Sequence, residues 1–280
     1  MLRRPTPPSP RPVVRPARTD AFAGLPRHWW YNSAYITHTV NALNLLFPAG
    51  ERFFIRSVRR YQDRVEDPEL RERIRAFAGQ EAQHGRAHEA AFAALEEDGF
   101  EIRSFLAWYE WLGYDVIEPI APEILRLSVT VALEHFTATL AEDALTQEFL
   151  DGAHPAMRDL LRWHAAEEIE HRSVAFDVLQ QVDDRYLVRV AGLALATLAL
   201  MFFWTVGTRH LLRQDPEATP ERLQRERTEA LARGQRKDFL GRSLWAYLRP
   251  GFHPEDRPTR GLAERWLAEH RAGARVAVAV

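Results

Sequence analysis

Glu81-Ala-Gln-His84 and its counterpart Glu168-Ile-Glu-His171 are the two stretches whose reading decides the fold. Each is a Glu-x-x-His, and each follows a lone glutamate, Glu51 or Glu134, on the long segment before it. Residues three or four apart lie on one face of an α-helix, so within each motif the carboxylate and the imidazole point the same way. Outward from the motifs the apolar residues keep that period. The first segment has Glu51, Ile55, Val58 and Gln62; the second Phe77, Glu81, His84, His88, Ala91 and Leu95. The third has Leu127, Val131, Glu134, Ala138, Ala141 and Leu145, and the fourth Leu161, His164, Glu168, His171, Ala175 and Val178. These are inward stripes of bundle helices, and in each a charged residue takes the place of a core residue.

Two lone glutamates and two Glu-x-x-His pairs on four helices form the ligand pattern of a di-metal site in a four-helix bundle. The expected fold is therefore all-α and ferritin-like, with helices over about 48–66 (or from 34 across a kink at Pro48), 68–97, 122–150 and 155–182. A segment over 104–118 serves as the crossover such connectivity needs. Pro68 and Pro155 sit where a first helical turn tolerates proline, Asp67 is placed to cap the second helix, and Gly99 to close it. Measured from a common end, the four glutamates fall within about one helical turn of the same depth.

Four ionised glutamates in a core are prohibitive without counter-charge, and two divalent cations cancel them. The expected metal ligands are Glu51, Glu81, His84, Glu134, Glu168 and His171. His88 and His164 lie in the same stripes and are candidates for metal binding, proton transfer or packing beside the ligands. Glu167, Glu170, His135 and Glu142 fall off the seams and are expected to be solvated or paired. The chain has no cysteine, which removes disulfides, thiolate metal sites and cysteine nucleophiles. Histidine and carboxylate remain, a set that suits iron, with manganese or zinc as alternatives.

The 280 residues are 46% hydrophobic with a formal net charge of −2, a globular composition with no general attraction to nucleic acid. Residues 1–26, rich in proline and arginine, are expected to form a disordered tail; residues 27–215 the bundle; and residues 216–280 a helical extension with helices over 220–233 and 261–270. No apolar segment follows the first arginines as a secretory signal requires, so a cytoplasmic location is expected. Val190–Thr208 carries no charge and is long enough to cross a bilayer. The helix over 187–210 is thus either a buried fifth helix or a contact with the inner face of a membrane. A homodimer is also open.

With these residues assembled, the chain resembles the bacterial predicted metal-dependent hydrolases, a ferritin-like group. The resemblance rests on Glu51 in Glu-Arg-Phe-Phe, the Gln-Glu-Ala-Gln-His run ending at His84 with His88 after it, Ala-Leu-Glu134-His, Glu-Glu168-Ile-Glu-His171-Arg-Ser-Val-Ala-Phe-Asp, and Arg-Pro-Gly-Phe-His-Pro at 249–254. It covers roughly residues 25–258 and implies metal-activated water acting on a substrate. The seams argue equally for dioxygen-dependent oxidation by two irons, because no cationic cluster faces the seam to receive a phosphate or carboxylate, and an apolar lining suits a small apolar substrate. A non-catalytic iron-binding protein and a membrane-associated helical protein are the readings from other classes.

Overall fold

The computed structural model describes residues 9–146, 148–233 and 239–277. Among them the chain is an all-α bundle without strands. The elements are α1 (Ala34–Arg59), α2 (Pro68–Glu97), α3 (Arg103–Glu110), a π-helical stretch Trp111–Ile117, α4 (Glu118–Ile120), α5 (Glu123–Leu145), α6 (Pro155–His171), α7 (Val174–Val182), α8 (Tyr186–Gln214), α9 (Pro220–Ala232), α10 (Phe239–Tyr247) and α11 (Arg260–Ala277). Helix α1 packs on α2 and α5 on α6, and α3 to α4 cross between the two pairs.

The helix ends follow local chemistry. The Asp67 carboxylate accepts the Glu69 backbone N–H at 2.9 Å and starts α2. Gly99, at φ +86°, ends it, with the Phe100 N–H donating to the Leu95 carbonyl at 2.9 Å. A side chain at Gly99 would strain this left-handed turn. Helix α1 runs unbroken through Pro48 back to Ala34, the longer of the two expected forms. It stops at Arg59, so Gln62 lies in a 3-10 turn beyond it, and Phe54 and Val58 take the buried places next to Glu51. The crossover occupies the expected stretch, and its Phe105 and Tyr109 pack on Phe203 of α8.

The helix expected over 122–150 ends at Leu145, and three further expectations change. The helix over 155–182 is broken at Arg172 and Ser173, directly after His171. Arg73 of α2 donates to the Ser173 hydroxyl at 2.7 Å and to Asp177 at 2.8 Å, and Arg172 bonds Glu255 at 2.9 Å. These side-chain bonds hold the turn against continuation of the helix. The loop Arg249–Pro254 supplies the rest of this clamp, since His253 Nε2 meets Asp177 at 3.0 Å.

The second change concerns the tail. Residues 1–8 lie outside the described residues, but 9–26 are laid along the bundle without regular secondary structure. Gln80 donates to the Val13 carbonyl at 3.0 Å, the Ala17 N–H donates to Gln83 at 3.0 Å, and Phe22 is buried. Composition weighs only apolar burial, whereas this segment is held by backbone bonds and by the ion pairs of Arg15. The third is α10, a helix missing from the expected extension, which is fastened where His135 Nε2–H donates to the Ser243 carbonyl at 3.0 Å.

Helix α8 buries one stripe, with Arg189, Gly192, Leu193, Ala196, Phe203 and Leu211, against α5 and α1. At Gly192 a Cβ would stand 2.6 Å from the Ser128 backbone, so the absence of a side chain sets how closely α8 crosses α5. Arg189 donates to the Arg249 carbonyl at 2.9 Å and stacks near Tyr247, tying the helix start to the loop. The opposite face stays apolar and open: Leu187 is 78%, Leu198 69% and Phe202 51% exposed. By length and composition α5 and α8 could each cross a membrane; α5 is 61% buried and forms the core, α8 only 28%.

Candidate metal centre

The six residues chosen from the seams meet in the bundle core. Glu51 comes from α1, Glu81 and His84 from α2, Glu134 from α5, and Glu168 and His171 from α6; none is more than 3% exposed. Two triads form within this set. Glu51, Glu81 and His84 offer ligand atoms within 4.8 Å of one another, and so do Glu81, Glu168 and His171. His171 Nε2 lies 3.0 Å from Glu81, 3.4 Å from Glu134 and 3.5 Å from Glu168, while His84 Nδ1 lies 3.7 Å from Glu168. Glu81 is shared by both triads and Glu168 faces both histidines, so these two stand between the two ends of the cluster.

Partner bookkeeping tests whether cations fit. Both oxygens of Glu51, Glu81 and Glu134, together with His84 Nδ1 and His171 Nε2, are buried without a hydrogen-bond partner. Leaving so many acceptors unsatisfied in a protein interior is costly. Metal cations would satisfy them, and the residues fit such a group. Electrostatics agree. Burial, then the neighbouring carboxylates, pushes the Glu51 and Glu81 carboxyls well above the usual range. Burial, with His171 opposing, lifts Glu134 to about 7. Burial disfavours charge on His171, but Glu134, Glu168 and Glu81 outweigh it and hold its pKa well above that of an ordinary imidazole. A cation would take over the role of these protons.

The far nitrogens of the two histidines are held in a reciprocal manner. His84 Nε2 meets Glu167 at 3.2 Å, and His171 Nδ1 meets the Gln80 side-chain amide oxygen at 3.0 Å. Each of these partners immediately precedes the motif glutamate of the opposite repeat. Arg15 joins the two sides: it donates to Glu167 at 2.9 Å and doubly to Glu170 at 2.7 and 2.9 Å, and Gln80 donates to Glu170 at 2.8 Å. The ring His84–Glu167–Arg15–Glu170–Gln80–His171 fixes both imidazoles with their free nitrogens toward the carboxylates, as metal-binding histidines require.

Glu167 and Glu170 are therefore paired, as is Glu142, whose carboxylate bonds Thr259 at 3.0 Å and pairs with Arg257. Of the off-seam residues Glu167 and His135 are almost wholly buried, so the solvated reading fails for them. Sequence reasoning missed Gln80, Arg15 and Gly85. The polar residue before each Glu-x-x-His was the available signal for Gln80 and Glu167; Arg15 left none. A Cβ at Gly85 would lie 3.3 Å from Glu51 Oε2, so glycine there leaves room for that carboxylate.

His164 and His88 extend the cluster. His164 Nε2 meets Glu168 at 2.8 Å and its Nδ1 meets His88 Nε2 at 2.6 Å, while Phe47 packs on both rings. Thr137 donates to the other Glu168 oxygen. His164 and Glu168 also form the inner wall of a cavity of about 850 Å³, bounded by Val40, Leu43, Leu140 and Leu161 among others. Its volume and apolar lining are those of a small-molecule site.

The family model of the predicted metal-dependent hydrolases matches residues 13–257. The chain belongs to that family, and the match begins upstream of Arg15, earlier than the sequence resemblance reached. No curated protein and no solved structure matches the chain.

Proposed function

We propose that this predicted metal-dependent hydrolase is an enzyme with a ferritin-like di-iron centre at Glu51, Glu81, His84, Glu134, Glu168 and His171, acting on an apolar small molecule held in the adjoining cavity. The observation that carries it is the set of orphaned buried oxygens and imidazole nitrogens turned toward one another. Bound there, two cations would supply Lewis acidity for activating water or, as irons, electrons for reducing dioxygen. The chain's own residues do the rest. Glu51, Glu81 and His84 would hold metal at one end of the cluster and Glu81, Glu168 and His171 at the other, with Glu134 beside His171. His164 can pass a proton between Glu168 and His88 along its two hydrogen bonds. Leu43, Leu140 and Leu161 keep water from the apolar side.

Dioxygen chemistry is the second reading, favoured by the apolar wall beside His164 and Glu168, where no arginine or lysine stands among the lining residues that meet these two on α1, α5 and α6. Metal analysis of protein purified without chelator, with absorption and Mössbauer spectra before and after admitting air to the reduced form, separates the two. About two irons per chain and an air-dependent spectral change support oxidation. Two redox-inert zinc ions support hydrolysis. A core without metal overturns the proposal and leaves a helical scaffold.

The open face of α8 belongs to the same reading. Its exposed Leu195, Leu198, Met201 and Phe202 continue into the cavity through Met201, and Arg185, Arg209 and Arg213 flank it. This pairing of apolar face and basic ends matches an anionic lipid surface, from which an apolar substrate would enter. Flotation with vesicles of anionic phospholipid tests it. A dimer in solution that no longer floats would give the face to a second copy instead.

A further inference from the structure

The cavity is long and its two ends differ. On α1 it is lined from Phe47, which packs on His164, back to Tyr35, twelve residues away or about 18 Å along the axis. The inner end is the His164–Glu168 side of the metal centre. The remote end is located by α9, where Glu226 accepts the Tyr35 N–H at 2.9 Å, so the adjacent Arg227 belongs to that end. Arg209 lies between Gly207, which faces Ala42 of α1, and Asp215, which bonds His38 at 2.9 Å. Both arginines line the cavity and are exposed, and neither has a carboxylate partner among the described residues. The other charged groups of the lining are accounted for: Glu168 belongs to the metal centre and Asp143 is paired with Arg242 at 2.6 Å. The mouth is thus basic, the shaft apolar and the floor the metal centre.

Building on the reading of this cavity as the substrate site, we infer that the substrate is a single-chain amphiphile with an anionic head group. The head is held by Arg209 and Arg227, and the hydrocarbon chain runs down the shaft so that a carbon far from the head faces the metal centre. Guanidinium pairs at the mouth fix the register of the chain, since the apolar walls alone allow it to slide.

Calorimetric titration of the full chain, with dodecanoate, dodecyl phosphate and dodecanol below their aggregation limits, tests this. Dodecanoate or dodecyl phosphate is expected to bind about tenfold more tightly than dodecanol, as two exposed ion pairs allow. The preferred anion tells a carboxylate from a phosphate head. In Arg209→Gln/Arg227→Gln, a surface change, the advantage of the anions disappears while dodecanol binding stays. Leu43→Trp fills the shaft and removes all three ligands with helix content unchanged. Equal binding of dodecanol and the anions by the unaltered protein overturns the head-group inference and leaves the cavity as an apolar site. Binding of none of the three overturns the cavity reading as well. Dodecanoate binding that survives Leu43→Trp places the ligand elsewhere and overturns the inference.

Discussion

Two buried groups of histidines and carboxylates stand in this bundle, and they end in opposite states. In the candidate metal centre, four glutamates face two imidazoles, and the carboxylate oxygens of Glu51, Glu81 and Glu134 find no donor. Between the start of α1 and the end of α8, His28 and His38 bring their Nε2 atoms to one oxygen of Asp215, at 2.7 and 2.9 Å, and the Glu217 N–H reaches the other at 3.0 Å. That carboxylate is saturated. Arg222 also donates to His28 Nδ1 at 3.2 Å, which leaves His28 to carry its hydrogen on Nε2, toward Asp215. A metal needs a lone pair there. The far nitrogens of His84 and His171 face acceptors instead, so their inner nitrogens are free. Residue types alone do not settle which nitrogen keeps a lone pair; for His28, His84 and His171 the partner of the nitrogen turned away from the cluster does.

The largest expected effect that could break this contrast is in Glu81→Ala and Glu168→Ala, which abolish metal uptake while leaving helix content largely intact. Metal analysis and circular dichroism read both, and unchanged metal content in the two variants would refute the ligand set. Asp215→Ala should do the reverse: metal content per chain unchanged, but unfolding easier by about 3–5 kcal/mol because two buried histidines lose their acceptor. Arg15→Ala sharpens the role of the far nitrogens. It should weaken metal affinity by about 10- to 100-fold, measured against a chelator series, with the fold retained. An unaltered affinity would show that the ring around the histidines orients nothing.

The smallest effect is in pH. The folded-state pKa values of Glu51, Glu81 and His171 are raised, so above the ordinary range of each group the metal-free folded chain retains protons that the unfolded chain has lost. Stability then falls as pH rises. The metal-free protein should lose on the order of 1 kcal/mol per pH unit above pH 7, and loading with metal should flatten that slope. Asp215 has the opposite sign. Burial would raise its pKa, but the bonds from His28, Glu217 and His38 lower it, so its contribution is present at neutral pH and fades only as pH drops below the ordinary aspartate range. Thermal unfolding across pH, with and without chelator, distinguishes the two regions.

Much of this was legible in the sequence because helices repeat at a fixed period. Six residues at inward positions of four stripes meet in space, and Gly99 and Asp67 bound α2 for reasons visible in the chain. What lay hidden depended on partners distant in sequence. Glu167 is a residue away from the inward stripe and counts as solvent-facing by periodicity; it is buried because residues 9–26 lie across that face. The break after His171 needed Arg73 and Glu255, from α2 and the C-terminal loop. His28, His38 and Asp215 belong to no repeating pattern at all.

The distance of Arg15 along the chain from Glu167 and Glu170, 152 and 155 residues, has its own consequence for assembly. During synthesis Arg15 is made well before the carboxylates it grips, which emerge only after α1, α2 and α5 are complete. The order of translation and the order of closure are therefore reversed for this segment, and a piece made before the bundle is the bolt that can be shot only when the box is built.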